Sequence, residues 1–353
     1  MSDKQTLLLA QRDENIDILR GFTMMYVVFV HCLYWAGLFT GTFSSIFKSL
    51  FLIEMPLFFF IAGASNAMGK KKTVLGFYHS RFQRILIPYW IYAIICILIT
   101  FILKNQENYF SFEIPTIFSP VTQLPYLLYA IWFVPVYLYV ILLFPLLKWY
   151  YEQFDNRIRL YLPFAVFVIL LLLFSYISQL AQTVCFYSFW IYLGLFYRKM
   201  NVNTIKYKQK IAGCIIFCVL LVLAFVWHDH KYANMQYNKF PPNVVFLVYT
   251  FGALSAFYLC SKYILTGIRF LRRKNLLNWV FKQYEHNCYT IFLYHPFSFL
   301  LIFYLRKYCE SFDYIFQVNS LISFSLYLIL TLSISAFWGK LFSWTERIKI
   351  IKK

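Results

Sequence analysis

The chain has 353 residues, of which 61% are hydrophobic and only 13% charged, with a mean hydropathy of +0.62. A soluble domain of this length could not keep so much apolar surface out of water, whereas a bundle of membrane helices can. The net charge of +19 would suggest nucleic acid in a soluble protein, but here the cations cluster in short loops between apolar runs. That placement excludes nucleic acid as the expected partner and leaves anionic lipid headgroups or a polyanionic cofactor reaching the basic side.

Ten spans are expected, at about 18–40, 46–69, 80–103, 125–147, 160–178, 182–198, 211–228, 243–262, 285–305 and 314–342, each near the roughly 20 residues a helix needs to cross a bilayer. No strand alternation of a closed barrel is visible, so the expected fold is all-α: one polytopic transmembrane helix bundle over residues 1–353. The polar, mixed-charge stretch from Met1 to Asn15 does not resemble a cleavable signal peptide. Of the 33 basic residues, all but Lys48, Lys104, Lys231, Lys239, Arg306 and Lys307 fall on one side of the alternation, in sets such as Lys70-Lys71-Lys72 with Arg81 and Arg84, or Arg198-Lys199. The positive-inside rule then places both termini in the cytoplasm. The eight cysteines lie almost all in or against apolar spans and form no disulfide framework; they read as small buried apolar residues.

The first span opens with Asp17-Ile18-Leu19-Arg20-Gly21-Phe22 and carries His31. Eleven residues separate Arg20 from His31, which at about 100° per residue is three turns plus about 20°, so both lie on one helix face with His31 about 16 Å deeper. Asp17, three residues before Arg20, can share that face. An imidazole inside a membrane is costly and points to function; the bland alternative is a histidine satisfied by a neighbouring helix. In the second span Glu54 stands in Ile53-Glu54-Met55-Pro56-Leu57, where Pro56 frees a backbone carbonyl. Glu54 can face His31 and set its tautomer or basicity, or it can form an ion pair with Lys48 or another helix. At the start of the third span Arg81 and Arg84 share a face at i,i+3, and Pro88 denies the carbonyl of Arg84 its usual partner. Two forked guanidiniums can bind phosphate bidentately, or can simply be snorkelling arginines at a positive-inside boundary.

Further along, Trp132 in Ile131-Trp132-Phe133-Val134-Pro135 reads as packing or as the lining of an acyl channel. His228-Asp229-His230 resembles metal ligands, but no further ligand is near and a solvated loop is the expectation. Gly194 and Gly252 read as helix contacts. His295, in Tyr294-His295-Pro296-Phe297, sits midway through the ninth span, where Pro296 frees another carbonyl; a polar cavity or a structural role both fit. No phosphate loop, nucleophile elbow or zinc spacing appears, and no metal is expected.

Taken together, Arg-x10-His at Arg20 and His31, Arg-x-x-Arg at Arg81 and Arg84 leading into Ile85-Leu86-Ile87-Pro88-Tyr89, the stretch from Met55 to Gly63, Trp132-Phe133-Val134-Pro135, Lys239-Phe240-Pro241-Pro242-Asn243 and the Tyr-His-Pro stretch at Tyr294 resemble the acyltransferase-3 family of bacterial membrane O-acyltransferases over nearly the whole chain. The resemblance is to the stand-alone form, without a C-terminal hydrolase-like domain. It implies transfer of an acyl group, usually acetyl from acetyl-CoA, to a hydroxyl of a cell-surface polysaccharide or its lipid-linked precursor, in the bacterial cytoplasmic membrane. Carried over, His31 is the catalytic base or a transient acyl carrier, Arg20 its partner, and Arg81 with Arg84 the acyl-CoA site; the expected catalytic set is His31, Arg20 and Glu54. The alternative is a proton-coupled secondary transporter of a small anionic metabolite, which midplane His31, Glu54 and His295 would also serve. Against it stands the absence of repeated, interrupted half-patterns of helices.

Overall fold

The computed structural model describes residues 14–39, 41–69, 73–103, 127, 132–154, 156–197, 205–316 and 320–348. The expected inner cations Lys70, Lys71, Lys72, Arg198 and Lys199, the outer Lys104, the opening of the fourth expected span before Trp132 and residues 317–319 of the last lie outside these described residues. Among the described residues the regular structure is helical, and nine stretches are long and apolar enough to cross a membrane. The protein is an all-α, multi-pass membrane protein.

In chain order the helices are α1 (Glu14–Trp35), α2 (Thr42–Ser49), α3 (Glu54–Ala67), α4 (Val74–Leu103), α5 (Phe133–Gln153), α6 (Asn156–Ile177), α7 (Gln179–Gly194), α8 (Ile205–His228), α9 (Met235–Lys239), α10 (Val244–Leu271), α11 (Asn275–His286), α12 (Cys288–Tyr308), α13 (Glu310–Ile315) and α14 (Ser320–Leu341), followed by a 3-10 turn at Ser343–Arg347. Three of them differ from expectation for physical reasons. The sixth expected span is the 16-residue α7, about 24 Å long and thus short of the roughly 30 Å hydrocarbon core. It is apolar because protein surrounds it: Phe186, Tyr187, Phe189, Trp190 and Ile191 are all buried. The second span breaks between α2 and α3, so Glu54 opens α3 and Pro56 lies in its first turn. A first-turn N–H has no helical acceptor to lose, so Pro56 costs nothing there and frees no helical carbonyl. Helix α4 begins at Val74, one to two turns before the expected boundary, which sets Arg81 and Arg84 within the helix.

The chain falls into two compact units. The first comprises residues up to 23, 40–71 and 139–275. In it α3 and α7 cross at two glycines: a Cβ on Gly63 would overlap the carbonyl oxygen of Ile191, and one on Gly194 that of Phe60. Small residues are what let membrane helices approach to backbone contact. Helices α8 and α10 pack likewise, with Gly252 leaving room for Cys218, whose Cβ would otherwise lie 2.8 Å from the added one. Ser178 caps α7 through Ala181 N–H at 3.3 Å, and Asn243 caps α10 through Phe246 N–H at 3.0 Å.

The second unit comprises residues 24–39, 72–138 and 276–353. Its centre is α12, the most buried of the spans, with 72% of its apolar window inside the protein against 6% for α6 and for α8. α12 packs on α14 through Gly339, where a side chain would strike Ile291, and through a 2.9 Å hydrogen bond between the hydroxyls of Ser298 and Ser335. Tyr294 stacks flat on Phe342 at 4.0 Å, and Tyr92 of α4 lies against Phe297 at 5.4 Å while its hydroxyl donates to the Leu127 carbonyl. This dense aromatic packing fixes the height and rotation of α12 and, with it, of His295.

Candidate functional site

The second unit brings together two histidines that the sequence places 264 residues apart. His31 Nδ1 lies 2.6 Å from His295 Nε2. The two rings are within 8° of parallel with centroids 4.8 Å apart, the separation of imidazoles joined edge to edge in a common plane. His295 is completely buried, and its other nitrogen, Nδ1, lies 2.7 Å from the Phe292 carbonyl oxygen. On the face of His31 lies Trp35, one turn on in α1, with ring centroids 4.1 Å apart and planes 9° apart. Phe299 closes against Trp35 edge-on at 4.8 Å. Trp35 is a site residue that the sequence reading passed over. Its signal was the i,i+4 spacing from His31, which puts an aromatic ring on the same helix face. A tryptophan face can stabilise a cation held over it.

The arginine pair lies in the same unit. The Arg81 guanidinium carbon is 5.6 Å from the centroid of the Phe77 ring, one turn earlier in α4. Arg84 is half exposed and its Nε meets Glu346 Oε2 at 3.4 Å. Glu346 is itself tied down, its Oε1 accepting from the backbone N–H of Thr290 at 2.9 Å and from the Thr290 hydroxyl at 2.5 Å. The C-terminal 3-10 turn therefore supplies Arg84 with a counter-ion, and a phosphate arriving there would share or replace it. Glu346 was not singled out from sequence, because nothing local marks a carboxylate in a short turn as the partner of an arginine 262 residues away. Trp132, just ahead of α5, packs edge-on against Phe133, whose ring lies 4.7 Å from that of Phe292.

The first unit holds the remaining expected residues. Arg20 Nη2 meets Asp17 Oδ1 at 3.2 Å, the i,i+3 pair expected from their shared face. Glu54 is buried and its Oε1 accepts from the Lys239 ammonium, also buried. Lys239, counted from sequence with the outer-loop cations, is buried against this carboxylate at the end of α9. Two side chains of α2 hold α9 in place: Ser49 accepts from the Met235 N–H at 3.0 Å and Ser45 from the Asn234 amide at 3.1 Å. The structure thus gives Glu54 a lysine and gives His31 a histidine, where the sequence suggested that each might serve the other. At His228-Asp229-His230, Asp229 pairs with Lys231 at 2.8 Å and caps the following 3-10 turn. That lysine holds the Asp229 carboxyl below its usual range. Among the described residues no group of three His, Cys, Asp or Glu side chains comes together as a metal site would require.

Chemically, the second unit offers a membrane-embedded imidazole with one nitrogen engaged by a second histidine, one face covered by tryptophan, and an arginine pair on a separate helix. Comparison with known proteins adds one positive finding. A family model described as an acyltransferase domain, that of the acyltransferase-3 family, matches residues 13–338. No curated protein and no solved structure matches the chain.

Proposed function

We propose a reaction for a chain that belongs to the acyltransferase-3 family: it moves an acyl group, acetyl in the first instance, from cytosolic acyl-CoA to a hydroxyl of a cell-surface polysaccharide or its lipid-linked precursor, with His31 as general base. The carrying observation is the setting of His31 on a spanning helix, engaged at Nδ1 by His295 and covered by Trp35. An imidazole so held presents Nε2 for proton abstraction. The acceptor hydroxyl gives its proton to Nε2 while its oxygen attacks the acyl carbonyl. The carbon–sulfur bond breaks and coenzyme A leaves as the thiol, taking back the proton.

Donor geometry supports the same reading. His31 lies eleven residues along α1 from Arg20, about 16 Å, too far for a side-chain contact but within reach of a pantetheine arm whose phosphates stay at the arginine end. On this reading Arg81 and Arg84, whose guanidiniums suit phosphates, hold the donor, and Arg20 stays the expected partner of His31 on α1. The excess of Lys and Arg in alternate loops supports a cytoplasmic location for that end and for both termini, and the proposed membrane is the bacterial inner one. Glu54, paired with Lys239, supports the reaction by holding α3 and α9 together.

The test is acetyl-CoA binding to the purified, detergent-solubilised protein, wild type beside Arg81→Ala/Arg84→Ala. Each charge-assisted contact is worth about 1.5–3 kcal/mol, so the double variant should bind at least tenfold more weakly. Unchanged affinity in a folded double variant would remove these arginines from the donor site. A well-folded wild type that binds no acyl-CoA would overturn the donor itself.

A further inference from the structure

In α12, His295 is followed directly by Pro296. Proline has no N–H, so the carbonyl four residues earlier, that of Phe292, loses its helical donor. That carbonyl is the one 2.7 Å from His295 Nδ1. A carbonyl oxygen can only accept, so Nδ1 of His295 carries hydrogen and a neutral ring has its lone pair on Nε2. His295 Nε2 in turn lies 2.6 Å from His31 Nδ1. Were the hydrogen of His31 on Nε2, two lone pairs would face each other across that distance; with it on Nδ1, they make a hydrogen bond in the ring planes.

We infer that His295 is a positioning residue that fixes His31 as its Nδ1–H tautomer, using the carbonyl that Pro296 frees at Phe292 to set its own. The inference rests on His31 as the base and says which nitrogen does the work: the lone pair is directed to Nε2, where the acceptor hydroxyl must approach. Once Nε2 has taken that proton, Nδ1–H of the imidazolium donates to His295 Nε2 in a charge-assisted bond, stronger than the neutral one it replaces. No net proton leaves the pair until coenzyme A is released as the thiol. His295 touches neither donor nor acceptor in this scheme. It orients the histidine that does, as partners of metal-bound and triad histidines do.

The experiment reads the tautomer directly, without recourse to turnover. The chain has six histidines, so ring 15N resonances of labelled protein in lipid nanodiscs can be resolved, and the His31 pair assigned by its loss in His31→Gln. Wild type should show His31 protonated at Nδ1. In His295→Leu it should shift to Nε2–H or a mixture, and kcat should fall about 10–100-fold, the usual cost of losing an orienting partner, with KM for the donor unchanged. His295→Gln, whose amide oxygen can accept from Nδ1–H, should restore the tautomer and most of kcat. A wild-type His31 protonated at Nε2 overturns the proposal, and so does His295→Leu with an unaltered His31 tautomer. His295→Gln as slow as His295→Leu despite a restored tautomer also overturns it. Should His295→Leu fail to fold, the wild-type spectrum and the glutamine variant still decide. Full turnover in His31→Ala would instead sink the general-base reading while leaving the tautomer measurement intact.

Discussion

Among the described residues two polar pairs invite comparison, one half-buried and one fully buried. His31 and His295 meet ring to ring, with an aromatic face beside His31. Glu54 and Lys239 form an ion pair of opposite charges. The first sits on long spanning helices locked by aromatic packing; the second ties the start of α3 to the five-residue α9. An ionisable group inside a membrane is a sign of function only until its partner is known, and the two partners differ: on the proposed reading the first pair serves chemistry and the second architecture.

The sharpest test of that division is His31→Ala. General-base catalysis contributes about 10²–10⁴-fold, so turnover should fall by that factor in a variant that still folds, with the unpaired His295 nitrogen costing about 1–3 kcal/mol of stability; retained turnover would end the assignment. Lys239→Ala should do the reverse. Stranding a buried charge costs about 3–5 kcal/mol, so the protein should unfold well below the wild-type temperature. The paired replacement Glu54→Gln/Lys239→Met should recover stability, since an apolar or neutral pair of similar size is often as good. If that paired variant is stable but inactive, Glu54 belongs to the chemistry and the contrast collapses.

Smaller effects sharpen the same contrast. Trp35→Leu removes a cation–π contact worth about 0.5–2 kcal/mol, so kcat should drop between twofold and about thirtyfold with donor binding unaltered; a loss of binding alone would make Trp35 part of the donor cavity. Least of all should come from Asp229→Asn. Lys231 lowers the carboxyl pKa of Asp229, so any stabilisation is present above the ordinary carboxylate pKa and fades as pH falls below it. The pair lies at the surface, with Asp229 half-exposed, and turnover and unfolding at neutral pH should match wild type; a loss of turnover would bring this loop into the acceptor path.

The sequence exposed the residues better than their partners. His31, Arg20, Glu54, Arg81, Arg84 and His295 stood out because charge or imidazole in an apolar span is expensive. Their partnerships were hidden because they are tertiary: His31 meets His295 across 264 residues and Arg84 meets Glu346 across 262. The burial of Lys239 against Glu54 was hidden for the same reason, because it depends on α9 being held by Ser45 and Ser49 of α2. Most spans were legible from length and hydropathy. The sixth, α7, already stood out as the shortest, and its hydrophobicity reflects burial in protein; the break before α3 was not legible, since residues 50–53 are as apolar as what flanks them.

The Glu54–Lys239 pair also has a history, because its members are made at different times. They lie 185 residues apart in the chain, and a ribosome working at about 5–20 residues per second needs roughly ten to forty seconds to travel from one to the other. During that wait α3 is already apolar enough to leave for the lipid while its acid has no counter-ion. The nascent α3 must therefore linger at the insertion machinery or keep Glu54 near the aqueous boundary. Arrival of α9 then supplies the missing counter-ion, before α10 completes the first unit.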